Sequence, residues 1–137
     1  MDEKEQKIEE LKIVQKIIDR MASNSFKIKG WAITIIMGTL ILKTEKTGIL
    51  LALLPTIVFW YLDTYYLQLE KKFRALYDKI VNDNLADNYI PFSLSLEGIE
   101  VTGKFKIMFS VSIGLLYELI GLLIIAYYIV NVFVLAS

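Results

Sequence analysis

A single acidic residue interrupts the most apolar part of this chain. Glu118 is the only Asp, Glu, Lys or Arg that follows Lys106 in the 137-residue sequence. A carboxyl group in such a stretch is typical of an ion pathway, where a ring of like subunits attracts cations, or of a hydrogen bond that joins helices. The sequence leaves both interpretations open. On one continuous helix the face of Glu118 also carries small and polar side chains, namely Ser110, Gly114 and Gly121, with Tyr117 and Tyr128 at the edges. We therefore predict that this face lines a pore or forms a seam between subunits.

A second group of residues has the spacing of a phosphate-binding stripe. Lys12, Lys16 and Arg20 recur every four residues, Asn24 follows one turn later, and Lys27 lies just beyond. On a helix these side chains share one side, and subunits around an axis would multiply them into a basic collar for an anionic ligand. The alternative is a solvated face balanced by neighbouring acids, or one in contact with anionic lipid. The residues alone favour that alternative.

The residue types exclude most catalytic chemistry. Cys and His are absent, which removes thiolate nucleophiles, the commonest general base and the commonest metal ligand. The sequence has no glycine-rich phosphate loop, no metal-ligand spacing and no serine-elbow motif. We therefore expect that the protein is not an enzyme and has no catalytic residue, metal or cofactor.

The elements that must position these residues are membrane helices. Hydrophobic residues make up 55% of the chain and its mean hydropathy is +0.51, above the level of an ordinary soluble domain. We predict an all-α membrane protein with three transmembrane helices per chain and amphipathic cytoplasmic helices, assembled as a homo-oligomeric bundle. The predicted segments are a cytoplasmic helix (1–22), a membrane hairpin (spans 23–42 and 48–67), a cytoplasmic helical extension and loop (68–106) and a third span (107–137). The third span is expected to be one continuous helix of about 45 Å, at 1.5 Å per residue.

The predicted hairpin brings opposite charges to the same depth. Counting outward from the polar turn at 43–47, Lys27 and Lys29 lie level with Asp63. A lone charge inside a bilayer costs at least about 2.5 kcal/mol on insertion scales, so pairing is favoured. We predict a bridge from Lys27 or Lys29 to Asp63. We also expect a kink at Pro55, which lies inside the second span.

Two apolar stripes outside the membrane predict helix packing. The stripe of the N-terminal helix consists of Ile8, Leu11, Val14, Ile18, Met21 and Ala22. The second helix continues this pattern beyond the membrane as a heptad-like seam of Leu62, Tyr66, Leu69, Phe73, Leu76 and Ile80. We expect the seam to pack on the N-terminal helix or on a neighbouring subunit. Apolar and polar residues alternate at 92–97, which is consistent with either a short strand or an interfacial segment.

The distribution of basic residues predicts the orientation. Seven Lys and Arg precede the first apolar run, two lie in the 43–47 turn, six lie between 68 and 106, and none follows the third span. The positive-inside rule therefore places the N-terminus and the 68–106 region in the cytoplasm. We expect a multi-pass protein of the bacterial inner (cell) membrane.

Three segments carry a resemblance to a known group of proteins. Residues 17–34 (IIDRMASNSFKIKGWAIT), 89–100 (YIPFSLSLEGIE) and 109–123 (FSVSIGLLYELIGLL) resemble parts of small multi-pass membrane effectors of bacterial anti-phage defence, the Hailong channel effectors. The resemblance covers about a third of the chain. It implies an oligomeric ion channel that is controlled by a nucleotide or oligonucleotide and depolarises an infected cell. It also implies a nucleotidyltransferase from the same operon as a partner, and Arg20, Ser23, Asn24 and Lys27 as residues at the cytoplasmic mouth.

The function expected from these observations is a homo-oligomeric membrane channel, for which we take a tetramer as the working number of subunits. Three helices cannot enclose a wide conduit, so a pore needs several chains around an axis. Two alternatives remain at the level of the sequence. One is a membrane-anchoring structural subunit that holds a soluble partner through the 62–80 seam, and the other is a holin-like lysis protein.

Overall fold

The computed structural model describes residues 2–43 and 45–135. Of these residues 77% are helical and none forms a strand. In chain order the elements are α1 (Glu3–Leu42), a 3-10 helix (Lys46–Ala52), α2 (Leu53–Val81), α3 (Lys104–Met108), α4 (Gly114–Ile129) and a π-helical turn (Val130–Val134). The predicted all-helical class is therefore confirmed. So is the presence of three helices long and apolar enough to cross a membrane, within Glu3–Leu42, Lys46–Val81 and Gly114–Val134.

The first helix is longer than predicted because nothing interrupts it. α1 runs for 40 residues, about 60 Å at 1.5 Å per residue, or twice the hydrocarbon thickness of a bilayer. The predicted boundary between residues 22 and 23 is absent. Met21 and Ser25 on either side of that boundary are both buried, so tertiary packing holds the polar residues between them in the helix.

The second span was predicted to start at Gly48. In the structure it begins at Lys46 as a 3-10 helix and not as an α-helix. The winding changes to α at Leu53, and Pro55 is the third residue of α2. In this first turn a backbone N–H has no α-helical partner, so proline removes no hydrogen bond. Pro55 therefore lies in the first turn of α2, just after the change of winding, and not in a helix interior, where a kink was expected. The charged extension predicted beyond the membrane is continuous with α2 as far as Val81.

α1 and α2 form an antiparallel hairpin with two apolar cores. The core near the connecting turn includes Ala32, Ile36, Ile49 and Ala52, and α4 adds to it. We call this end (residues 25–63) the apolar half. The other core joins α1 to the far end of α2, in the charged half (residues 3–24 and 64–81). It contains Val14, Ile18, Leu76, Ile80 and Ile99, with Leu11 and Phe73 packed against it. The part of the α2 seam formed by Phe73, Leu76 and Ile80 therefore packs on the N-terminal helix of its own chain.

The apolar half has the thickness of a bilayer core. Seven 3-10 residues rise about 14 Å and the α-helical residues from Leu53 to Asp63 about 16 Å, which together match about 30 Å of hydrocarbon. We refer to the layer occupied by this half as the apolar band. A lysine–tyrosine contact lies towards each side of it. Lys43 Nζ lies 5.0 Å from the ring centroid of Tyr127, and Lys104 Nζ lies 5.2 Å from that of Tyr61. Such amphipathic pairs are typical of membrane–water interfaces.

The third span begins seven residues later than predicted. The chain forms the short α3, turns at residues 109–113 and starts α4 at Gly114. A Cβ atom at Gly114 would lie 2.9 Å from the carbonyl oxygen of Met108 and 3.0 Å from backbone atoms of Phe109. Glycine therefore permits this sharp turn, and the expectation of one continuous helix from 107 is wrong. The described span, Gly114–Val134, has 21 residues, about 31 Å.

The segment between α2 and α3 packs along the charged half as a series of turns. Ile99 is buried in its core, and Leu94 and Leu96 pack against it. The alternation at 92–97 thus does not correspond to a strand: it is a loop that packs over the helix pair. Phe92 and Leu94 have φ angles of 63° and 53°, in the left-handed region that residues with a Cβ seldom occupy.

Candidate functional site

A buried polar cluster joins all three long helices where the apolar half meets the charged half. Asp63 of α2 is fully buried, and Lys29 Nζ of α1 lies 2.5 Å from its Oδ2. Ser25 Oγ donates a hydrogen bond to Asp63 Oδ1, and Tyr117 Oη of α4 donates to Oδ2 at 3.2 Å. Lys29 Nζ also donates to Ser25 Oγ at 3.1 Å. The bridge predicted for Asp63 is thus formed by Lys29. Lys27, the other candidate, is exposed.

Tyr117 lies inside the chain and not on a subunit seam. It is 1% exposed, and its ring stacks on Trp60 with a centroid distance of 6.2 Å and an interplanar angle of 10°. Trp60 Nε1 in turn donates to the carbonyl oxygen of Met108 at 2.9 Å. The indole therefore contacts both the tyrosine and the end of α3. α4 is joined to α2 by the ring stacking and by the hydrogen bond from Tyr117 to Asp63, and α3 is joined to α2 by the hydrogen bond from Trp60 to Met108. The predicted seam role of Tyr117 is corrected accordingly.

Glu118 lies on an exposed flank of α4, about 100° around the helix from the buried Tyr117. Its side chain is exposed, and it has no hydrogen bond or ion pair with any described residue. Its neighbours on the exposed face, Leu115, Leu119 and Leu122, are all more than half exposed. Because α4 starts at Gly114, Glu118 lies only about 6 Å into the helix. It is therefore level with the Asp63 cluster at one edge of the apolar band and not at the centre of the span.

The predicted face of small and polar residues is divided by the turn before α4. Ser110 lies in that turn, where its Oγ donates to the carbonyl oxygen of Ile107 at 2.6 Å, so it does not belong to the face of Glu118. Gly114 is buried against the turn and faces its own chain. Gly121 is different, because a Cβ there would meet nothing within 4 Å. Of the predicted seam residues, Glu118 and Gly121 remain available to a neighbour.

The predicted basic stripe lies on α1, and its residues differ in whether they have a side-chain partner. Lys12 pairs with Glu9 at 2.7 Å, whereas Lys16, Arg20 and Lys27 are exposed and have no side-chain partner among the described residues. Asn24 is half-buried. Beside the stripe, α1 and α2 form a groove of about 410 Å³ lined by Ile8, Leu11, Lys12, Gln15, Lys16 and Tyr77. Two cationic side chains and one aromatic ring therefore border a single concave surface.

A second polar contact holds the loop of the charged half. Glu10 is buried on α1 and accepts hydrogen bonds from the hydroxyl of Tyr89 and, at 3.0 Å, from the backbone N–H of Phe92. Burial, together with the hydrogen bond to Glu10, raises the pKa of Tyr89 to about 12. The carboxylate thereby secures the backbone at a residue with positive φ. Sequence analysis did not identify this contact.

The residues missed by sequence analysis share long-range contacts. Trp60, Ser25 and Tyr89 act through partners at least 38 positions away. Trp60 and Tyr89 gave no local pattern, while Ser25 offered one weak indication: it lies one turn from Lys29 in the predicted hairpin. No known family model, curated protein or solved structure matches the chain.

Proposed function

We propose that this protein is the subunit of a homo-oligomeric membrane ion channel. The observation that carries the proposal is the exposed Glu118, which has no partner among the described residues, on a helix whose exposed face is otherwise apolar. A charge at the centre of a bilayer costs about 2.5 kcal/mol or more, and Glu118, although nearer the edge of the apolar half, is still flanked by apolar side chains, so an environment supplied by other subunits is favoured. Intramembrane acids facing a bundle interior or an aqueous path are typical of ion conductors.

The packing of α4 supports assembly. In the 18-residue apolar stretch of Gly114–Val134, only 11% is buried within the chain, whereas the corresponding share for the second span is 28%. α4 is therefore attached along one narrow side and presents most of its surface to lipid or to another chain. Subunits arranged around an axis with α4 at their contacts would provide the conduit that three helices cannot enclose.

The charged half supplies a surface for an anionic regulator. Lys12 and Lys16 border the groove beside Tyr77, and Arg20 continues the stripe towards the membrane. Phosphate groups would contact the cations and a base would stack on the ring, as in single-stranded nucleic-acid sites. In a ring of subunits the stripes would form a collar at the cytoplasmic mouth, since the positive-inside rule places the charged half in the cytoplasm.

The resemblance at residues 17–34, 89–100 and 109–123 supports the biological setting. On that basis the channel is an effector of bacterial anti-phage defence in the cell membrane. A nucleotide or oligonucleotide from a partner nucleotidyltransferase controls it, and ion flow depolarises the infected cell. The anchoring alternative relied on the 62–80 seam. Phe73, Leu76 and Ile80 of that seam are packed against α1, so they offer no free surface to a soluble partner.

Reconstitution into planar bilayers tests the conducting role. The wild-type protein should produce single-channel currents, and Glu118→Gln should change their amplitude or ion selectivity. Glu97→Gln removes an equivalent charge from an exposed loop position and should leave the currents as in the wild type. An absence of current from the wild-type protein, or identical currents from Glu118→Gln, would contradict the proposal.

Binding measurements test the regulatory surface. The triple substitution Lys12→Ala, Lys16→Ala and Arg20→Ala should weaken binding of a fluorescent short oligonucleotide and flatten its salt dependence, because fewer counterions are released. The matched control replaces Lys71, Lys72 and Lys79 on α2 by Ala, which removes the same charge from another face. Equal affinities for the two triple variants would exclude the stripe as the binding surface.

A further inference from the structure

Two opposite charges at one edge of the apolar band lack partners among the residues that the structure describes. Glu118 lies on the outward side of α4, and Lys27 lies on the outward side of α1. Neither side chain has a hydrogen bond or ion pair to any residue in the described part of the chain. By contrast Lys29, two residues from Lys27, is fully engaged with Asp63 and Ser25.

The Asp63 cluster shows that these two charges have similar depth. Lys29 and Tyr117 both contact the carboxylate of Asp63, which brings their helices into register there. Lys27 precedes Lys29 by about 3 Å along α1, and Glu118 follows Tyr117 by about 1.5 Å along α4. The two helices run in the same direction, so Lys27 and Glu118 differ in depth by about one helical turn. A lysine side chain is long enough to span that difference.

The surface around Lys27 allows another helix to approach closely. Gly30, Thr34 and Gly38 follow Lys27 along the side of α1 opposite its buried residues, at spacings of three, four and four. A Cβ at Gly30 or Gly38 would meet nothing within 4 Å. The hydroxyl of Thr34 donates to the carbonyl oxygen of Gly30 at 3.0 Å, so its hydrogen is already used. Small residues at this spacing are typical of closely packed membrane helices.

We propose that Glu118 of one subunit pairs with Lys27 of the next, with α4 of the first seated against the Gly30–Thr34–Gly38 side of the second. This pairing rests on the proposed oligomer and specifies its contact. Each subunit contributes α4 on one side and α1 on the other, so the contact is heterologous and can repeat around a closed ring. It also connects the conducting region to the basic stripe, because Lys27 is the last cation of that stripe.

Cross-linking between cysteines tests the pairing. The chain has no native Cys, so every cross-link comes from the introduced residues. Chains carrying Lys27→Cys and chains carrying Glu118→Cys are co-expressed with different tags and treated in the membrane with a bifunctional methanethiosulfonate reagent, whose spacer replaces the reach of the lost lysine and glutamate side chains. We expect a cross-linked dimer that carries both tags. The control pairs Lys27→Cys with Leu119→Cys, which is exposed at nearly the same depth but about 100° around α4. It should cross-link at least several-fold less.

The outcomes separate this inference from the proposed channel. A linked dimer formed by Glu118→Cys chains alone would place the acid on the symmetry axis and overturn the pairing, while leaving an oligomer intact. Equal cross-linking of the control would also overturn it. A monomeric wild-type particle in size measurements in detergent would remove the proposed oligomer and the pairing together.

Charge reversal provides an independent measurement. Lys27→Glu or Glu118→Lys alone should lose the oligomer peak in size-exclusion chromatography, because like charges would then face each other. The two reversals combined in one chain should restore it. Failure of the double variant to recover the peak, while helical content and monomer yield are retained, would contradict the pairing.

Discussion

The Lys29–Asp63 bridge should respond unequally to loss of its two partners. Asp63 has no exposed side-chain surface, whereas the side chain of Lys29 is 27% exposed. In Lys29→Met the carboxylate stays buried without its cation, and we expect a loss of about 3–5 kcal/mol in the free energy of unfolding. In Asp63→Asn the lysine can extend to the interface, and the amide retains contacts with Ser25 and Tyr117. We expect that loss to be about 1–2 kcal/mol.

The double variant distinguishes a charge effect from a packing effect. Lys29→Met with Asp63→Asn leaves no unpaired charge, so its loss should be smaller than the sum of the single losses by about 1–3 kcal/mol. Lys71→Met, which removes an exposed lysine of α2, should have an effect within about 0.5 kcal/mol. Unfolding is measured in mixed micelles by SDS titration, with tryptophan fluorescence reporting on Trp60 beside Tyr117. Equal losses for the two single variants, together with additivity in the double variant, would refute the reasoning.

Three further perturbations test the packing of the chain by the same unfolding assay. Gly114→Ala should cost about 1–3 kcal/mol because its Cβ would lie 2.9 Å from a backbone carbonyl oxygen, whereas Gly121→Ala, with open space around it, should be neutral or stabilising. Leu76→Ala, at a fully buried position in the charged half, should cost about 2–5 kcal/mol; a loss below 1 kcal/mol would mean that this core is not packed as described. The pKa of Tyr89 is raised to about 12 in the folded chain, so its contribution to stability is complete below about pH 10 and is lost as the pH rises towards 12. Tyr89→Phe should remove that component from the alkaline unfolding profile, and an unchanged profile would exclude the Glu10 contact as its source.

The features predictable from sequence are those fixed by helix geometry alone. Lys29 and Asp63 could be matched in depth because a short turn at 43–47 sets the register and the helical rise is constant. The α2 seam was readable for a similar reason, since Phe73, Leu76 and Ile80 recur at the spacing that places them on one side of a helix. Both predictions needed only the position of the turn and the periodicity of apolar residues.

The start of the third span could not be read in the same way. Hydropathy is continuous from Ile107 onward, so it gives no boundary. The turn at 109–113 depends instead on the absence of a Cβ at Gly114 and on the hydrogen bond from Trp60, which is 48 positions from its acceptor. Ser110 and Ser112 were the local indications, because serine side chains compete with helical hydrogen bonds and favour turns.

This boundary changes what Glu118 can do in the proposed channel. In a helix that began at 107, the acid would lie near the centre of the bilayer, where a charged side chain is most costly and needs a wide lumen. With α4 beginning at Gly114, the acid lies at the edge of the apolar band, beside the interface marked by Lys104 and Tyr61. At that depth a cation on the neighbouring chain can reach the carboxyl group. The position thus favours a charged contact at the cytoplasmic entrance over a constriction in the middle of the membrane.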